Sequence, residues 1–276
     1  CHGPASTGLM GRRYANKHDI KSVYTHHTPI EEYLIRAVRS ETLADAVGRL
    51  YVTYENQFLR SFDCVTASTA KIRRKVTARQ LPVGIEMDRF QPQDEQLFDD
   101  EQPIIGYSGR MTTKKNIDEI LRVAAETPAY RYVLVGEGPA REKLEQNAPE
   151  NVEFHDFMHR EKLPTFYSSL DVFVSASTCD TLGLSTLEAC ACGTPVAAAD
   201  VQPFNETIGE ENGARFEYGD VDAMARAIRA CLDGDRDTRS AVERFSIEQT
   251  VDELEAIYGA ATQPERDAET AARVST

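Results

Sequence analysis

Short apolar runs, rich in β-branched residues, punctuate the second half of the chain. They fall at residues 103–109, 130–135, 171–176 and 196–199, with weaker ones at 151–154 and 213–216. Runs of this length without polar alternation are the pattern of strands buried on both faces of a parallel sheet. Segments with helical spacing lie between them: a loop then helix over 110–121, then 140–147, 184–192, 220–232 and 246–258. The first third repeats the alternation. Strands are expected at 22–25, 63–68 and 80–90, and helices at 9–17, 35–51 and 69–77. Strand and helix in turn predict α/β architecture with doubly wound parallel sheets. Residues 91–102 are polar and acidic and read as a linker. The expected division is therefore 1–95, 96–240, and a C-terminal helix and tail over 241–276. Residues 260–276 are expected to fray.

One stretch stands out, from Asp180 to Ala199. Gly193 sits where a glycine closes a helix, and Pro195 follows as a stop. Glu188 lies in the early turns of a helix otherwise made of Leu, Ala, Cys, Ser and Thr. Helical side chains lean toward the N-terminus, so Glu188 points at the helix mouth, where the loop carries Asp180 and Gly183. Free N–H groups and the positive dipole end at Gly183 and Leu184 suit phosphate. A carboxylate beside them can accept two hydroxyl hydrogen bonds from a ribose. A solvated helix Glu and a capping Asp are the plainer alternative.

The strand at 103–109 runs into Arg110 and Lys115 just before a helix, a second phosphate-friendly arrangement. A basic surface patch is the alternative. Gly136-Glu-Gly-Pro139 follows the next strand and needs only a bend to explain it. His155 and His159 sit in a loop with no third ligand, so no metal site is expected.

Composition narrows the partners. The chain has 276 residues, 41% hydrophobic and 28% charged, with a formal net charge of −14. That length supports two medium domains, and the acidity argues against nucleic acid as a partner. Of 31 basic residues, 23 are Arg. Many acids and few Lys fit a halophilic protein kept soluble in high salt; an ordinary acidic cytosolic protein fits too. No run approaches a membrane span and no signal-peptide pattern opens the chain. Cys1, Cys64, Cys179, Cys190, Cys192 and Cys231 show no paired Cys-x2-Cys spacing. A cytoplasmic location with reduced thiols is expected.

Asp180, seven intervening residues, then Glu188 and Gly193-Thr-Pro195-Val resembles the signature of retaining GT-B glycosyltransferases of the family 4 type, glycosyl transferases group 1. Asp180 stands in place of the usual first Glu, and Leu182 in place of an aromatic. The resemblance covers most of residues 1–258. It implies a GT-B-like fold with two Rossmann-like domains, the first incomplete: His2-Gly-Pro4 resembles a mid-domain piece of the acceptor domain. It implies that Glu188 binds the donor's ribose and that Asp180, with catalytic weight, meets the donor sugar. Arg110 and Lys115 hold the family's diphosphate-binding spacing, while Lys114 stands where Glu is usual. Gly136 lines the donor cleft, and residues around Phe157 and Met158 border the base. Thr25-His-His-Thr28 resembles a loop that brings an imidazole to the reacting sugar, with His27 the positional match rather than His26; a structural histidine is the alternative.

The reading is thus an enzyme that moves a sugar from a nucleotide diphosphate donor to a lipid, glycan or small-molecule acceptor with retention, in glycolipid or polysaccharide biosynthesis. No cofactor or metal is expected. Peripheral contact with the inner face of the membrane, the acceptor's identity and the oligomeric state stay open. A non-catalytic nucleotide-sugar-binding module, or a degenerate paralogue lacking part of the acceptor domain, is the alternative.

Overall fold

Strand alternation sets how the second of two contact units is built. The computed structural model describes residues 6–26, 41–68, 78–81, 83–98 and 101–262. By contacts the chain divides into residues 1–82 with 250–276, and residues 83–249. In the second unit six parallel strands form one sheet: β4 (Ile104–Ser108), β5 (Arg131–Val135), β6 (Val152–His155), β7 (Val172–Ser175), β8 (Val196–Ala199) and β9 (Gly213–Phe216). Their order is β6-β5-β4-β7-β8-β9. Successive side chains point to opposite faces. So Ile105, Tyr132, Leu134, Val172, Val174 and Ala197 enter one core, and Ile104, Val133, Phe173, Val196 and Ala198 the other. Burial on both faces explains the continuous apolar runs.

Helices cover both faces. Above one lie α3 (Ile117–Glu126) and α8 (Val221–Leu232). Asp220 starts α8 by accepting the Ala223 N–H at 2.8 Å. Above the other lie α5 (Leu163–Ser168), α6 (Leu184–Ala191) and α9 (Thr238–Val242). Short α4 (Arg141–Gln146) follows β5, and α7 (Phe204–Thr207) follows β8.

In the first unit β1 (Val23–His26), β2 (Cys64–Ala67) and β3 (Arg79–Gln80) make a parallel sheet in that order. Helix α1 (Ser6–Lys17) precedes β1 and α2 (Glu41–Leu59) precedes β2. Tyr24, Phe58, Leu59, Phe62 and Val65 form its core. The last helix, α10 (Ile247–Thr262), begins at the end of the second unit. Among the described residues no helix is long and apolar enough to cross a membrane.

Three expectations shift. The strand expected over 80–90 is a strand only at Arg79–Gln80. Beyond it Ile85 makes only an isolated parallel bridge to Ser246, and Ile85, Met87 and Phe90 fill the second unit's core. Arg239 holds that segment, donating to the carbonyls of Met87 at 3.0 Å, Phe90 at 2.6 Å and Ala191 at 2.7 Å. The contact boundary therefore falls at 82/83, where the sequence put the change at 95/96. The acidic stretch expected as a linker is tied down as well: the Gln93 and Leu97 N–H groups donate to the hydroxyls of Ser168 and Ser169 at 3.0 and 2.9 Å. The helix expected over 69–77 and most of the expected tail lie outside the described residues.

Candidate donor site at the sheet's switch point

Strand order reverses direction between β4 and β7. From β4 the chain winds outward through β5 and β6, then returns to β7 on the other side. The chain leaves β4 and β7 for helices on opposite faces of the sheet, and the crevice beyond the carboxyl ends of such strands is where open α/β sheets take ligands.

The loop after β4 carries Arg110, which is exposed, and a tight turn, Thr113–Lys115. Asn116 ends that turn with φ 51°. Asn is among the few residues besides glycine that visit this conformation readily. Here the amide crosses the crevice, donating to the Ala176 carbonyl at 2.9 Å and to Thr178 Oγ1 at 3.3 Å. Lys115 Nζ forms an ion pair with Asp180 Oδ1. The sequence placed Arg110, Lys115 and Asp180 around one ligand, and the structure joins the last two directly. Asn116 was missed, although its position between a turn and a helix was a visible signal.

The loop after β5 is pressed onto the same edge. Met111 N–H donates to the Glu137 carbonyl at 2.8 Å, and Ala140 N–H to the Met111 carbonyl at 3.1 Å. Arg141 braces this loop from outside, donating to the Gly136 carbonyl at 3.2 Å and to Asp156 at 2.7 Å. Gly136 therefore shapes the edge through its backbone. Met158, on the loop after β6, is half-buried against the core, while Phe157 beside it is exposed.

Gly183 caps α6 in the left-handed region, φ 77°. A Cβ there would lie 2.6 Å from the Phe204 ring. Leu184, the first helical residue, is exposed. One turn on, Glu188 is almost wholly buried. Its Oε2 accepts from the Tyr167 hydroxyl at 3.2 Å, and that hydroxyl is 2.8 Å from Ser108 Oγ. Its Oε1 lies 3.7 Å from Arg160 Nη2, which is also 3.6 Å from Glu86 Oε1. Sequence reasoning missed Tyr167, Ser108 and Arg160: they lie 21, 80 and 28 positions from Glu188, with no local pattern to link them.

Burial pushes the Glu188 carboxyl from its ordinary 4.5 up to about 7. Arg160 and the Tyr167 hydroxyl pull it down; Glu86 adds to the rise. The folded protein thus binds more protons than the unfolded chain between these values. Stability from this group is full below about 4.5 and is lost as pH climbs through about 7. Glu188→Gln should be the more stable chain at pH 8, by roughly 3 kcal/mol at most. Urea unfolding of both chains from pH 5 to 8 checks this; a stability difference that does not grow with pH would refute it.

In the first unit, His26 is buried with Nε2 3.0 Å from Glu55 Oε1. The Tyr51 hydroxyl donates to the same oxygen at 3.0 Å. His26 is thus committed to an internal contact. His27, the expected catalytic imidazole, lies outside the described residues.

A parallel sheet with an ion pair, a glycine-capped helix mouth and a buried carboxylate at its switch point defines an α/β protein of the doubly wound class with a candidate ligand site. More particularly, the chain belongs to the glycosyl transferases group 1 family, whose model matches residues 88–248. It is 27% identical to an alpha-monoglucosyldiacylglycerol synthase of Streptococcus pneumoniae over 82% of this chain and 57% of that protein. The chain spans little more than half of that relative's length, and less of some others it matches. Among solved structures it resembles sucrose-phosphate synthase from Thermosynechococcus elongatus with TM-score 0.76 and 26% identity, covering 92% of this chain and 71% of that one. Anabaena HepE in complex with UDP and glucose shares the fold, with TM-score 0.74 and 17% identity over 92% of this chain and 75% of that one. These neighbours are GT-B glycosyltransferases, and the GT-B-like expectation for the fold holds.

Proposed function

We propose that this chain transfers a sugar from a nucleotide diphosphate-sugar to an acceptor hydroxyl with retention of anomeric configuration, the second unit holding the donor. The observation that carries the reading is the switch-point crevice, where Lys115 and Asp180 are paired across two loops with Arg110 on the first of them. A leaving diphosphate develops charge as the glycosidic bond breaks. Arg110 and Lys115 supply fixed positive charge for it. Arg can fork onto two phosphate oxygens, whereas Lys acts as a point charge. Glu188 takes the ribose hydroxyls, and Asp180 passes from Lys115 to the sugar once phosphate arrives. The loop around Met158 borders the base. The family match supports transfer, and the UDP complex of a structural neighbour supports a nucleotide-sugar donor. Lipid, glycan and small-molecule acceptors all suit this half of the reaction, and a lipid acceptor brings the chain to a membrane surface.

The test is calorimetry against UDP-, GDP- and ADP-sugars, followed by transfer assays with the preferred donor. NMR of the product's anomeric coupling reads the stereochemistry. One donor should bind, with the product keeping the donor's anomeric configuration. An inverted product would overturn retention, and failure to bind any donor would overturn the whole reading.

A further inference from the structure

The surroundings of Glu188 assign a role to a side chain that neither motif contains. We propose that Arg160 is a positioning residue for the donor's sugar hydroxyls, holding the Glu188 carboxylate by charge from the solvent side while Tyr167 holds it by hydrogen bond from the buried side. The inference rests on Glu188 being the ribose acceptor.

The two oxygens of Glu188 have different neighbours. Oε2 meets Tyr167, whose hydroxyl is fully buried and shared with Ser108. A phenol has one proton. If Tyr167 donates it to the carboxylate, Ser108 must donate to Tyr167, so the chain Ser108 to Tyr167 to Glu188 has one direction. Oε1 faces Arg160 at 3.7 Å, beyond hydrogen-bond distance. Its lone pairs therefore stay open to incoming hydroxyls while a cation stands beside it.

Arg160 is itself held. Its guanidinium lies over the Phe90 ring at 5.4 Å and beside Glu86 at 3.6 Å. A ring face and a second carboxylate fix a side chain that is otherwise half exposed. Charged and titratable groups reach Glu188 from each neighbouring segment: Arg160 from the loop after β6, Glu86 from the segment before β4, Tyr167 from α5, and Cys192 at the end of its own helix. Among them Arg160 is the cation. Without it, burial and Glu86 act on the carboxylate opposed only by Tyr167, and a protonated Glu188 offers fewer acceptor sites.

The experiment measures UDP affinity by calorimetry from pH 6 to 9 for the wild type, Arg160→Gln, Arg160→Lys and Glu188→Gln. GDP or ADP serves if it is the diphosphate that binds. Ratios to wild type cancel the ligand's own titration. Arg160→Gln should weaken binding about 10-fold near pH 7, and the deficit should close toward pH 9 as Glu188 ionises without help. Arg160→Lys should restore most of the loss. A deficit equal at every pH would mean that Arg160 touches the ligand, and no deficit would mean that it does nothing; either overturns the inference alone. Wild-type affinity in Glu188→Gln would overturn the ribose assignment and the inference with it, as would a wild type that binds none of the three diphosphates.

Discussion

Lys115→Ala is expected to lose more diphosphate affinity than Arg110→Ala, and to regain part of it when Asp180→Asn is added. Each cation removed from a diphosphate forfeits a charge-assisted contact, about 1.5–3 kcal/mol or roughly 10- to 100-fold in affinity. Arg110 is exposed, so its loss leaves nothing behind. Lys115 is paired with Asp180, so its loss also leaves a carboxylate facing the phosphates without its cation. Both side chains are mostly buried, which weakens solvent screening of that repulsion. Asp180→Asn alone removes a competitor for Lys115 and should leave UDP binding equal or stronger while transfer falls. Calorimetry with UDP and with uridine separates the phosphate term from the base and ribose. Equal losses for both ligands in Lys115→Ala, or an Asp180→Asn chain as weak as Lys115→Ala, would refute this arrangement.

How much of this was legible in the sequence depends on the range of each interaction. Strands β4, β5, β7 and β8 could be read because burial on both faces writes a local, continuous apolar run. The placement of Asp180 in a loop and of Glu188 one turn into the following helix could be read because glycine and the helical run fix it locally. Helix α5 could not. Its six residues, Leu-Pro-Thr-Phe-Tyr-Ser, include poor helix formers, and tertiary packing holds Phe166 and Tyr167 in place. Missing α5 meant missing the hydroxyl that orients Glu188. The acidic stretch after residue 90 misled for a related reason. Its polarity is that of a linker, but its backbone N–H groups find partners on α5 and the residue after it. Polar composition reports solvent exposure, not whether a segment is tethered. Arg160 and Glu86 read as ordinary surface charges because 74 residues separate them; only the fold brings both to the carboxylate.

Gly136→Ala is expected to be strongly damaging to the second unit, although alanine adds one carbon. Gly136 has φ 140°, a region that L side chains rarely adopt. Its added Cβ would also lie 2.0 Å from the Gly109 carbonyl oxygen. That neighbour is backbone and cannot rotate away, so a whole loop must move. The loop in question carries Arg110, and it is fastened at both ends: Gly109 N–H donates to the Val135 carbonyl at 3.0 Å, and Met111 N–H to Glu137 at 2.8 Å. Pushing the loops after β4 and β5 apart breaks these bonds and carries the guanidinium away from the crevice. Backbone strain of about 1–3 kcal/mol and a comparable overpacking cost sum to roughly 2–6 kcal/mol. Gly219→Ala is the control. Gly219 has φ 87°, but a Cβ there meets nothing within 4 Å, so it bears the conformational cost alone, about 1 kcal/mol. Urea unfolding midpoints should therefore rank wild type, Gly219→Ala, then Gly136→Ala by a wide margin. UDP affinity should fall in the folded fraction of Gly136→Ala and stay unchanged in Gly219→Ala. If the two alanines cost the same, the contact between the two loops is not what makes glycine necessary at 136, and the bond lacing that fixes Arg110 at the crevice is looser than the geometry states.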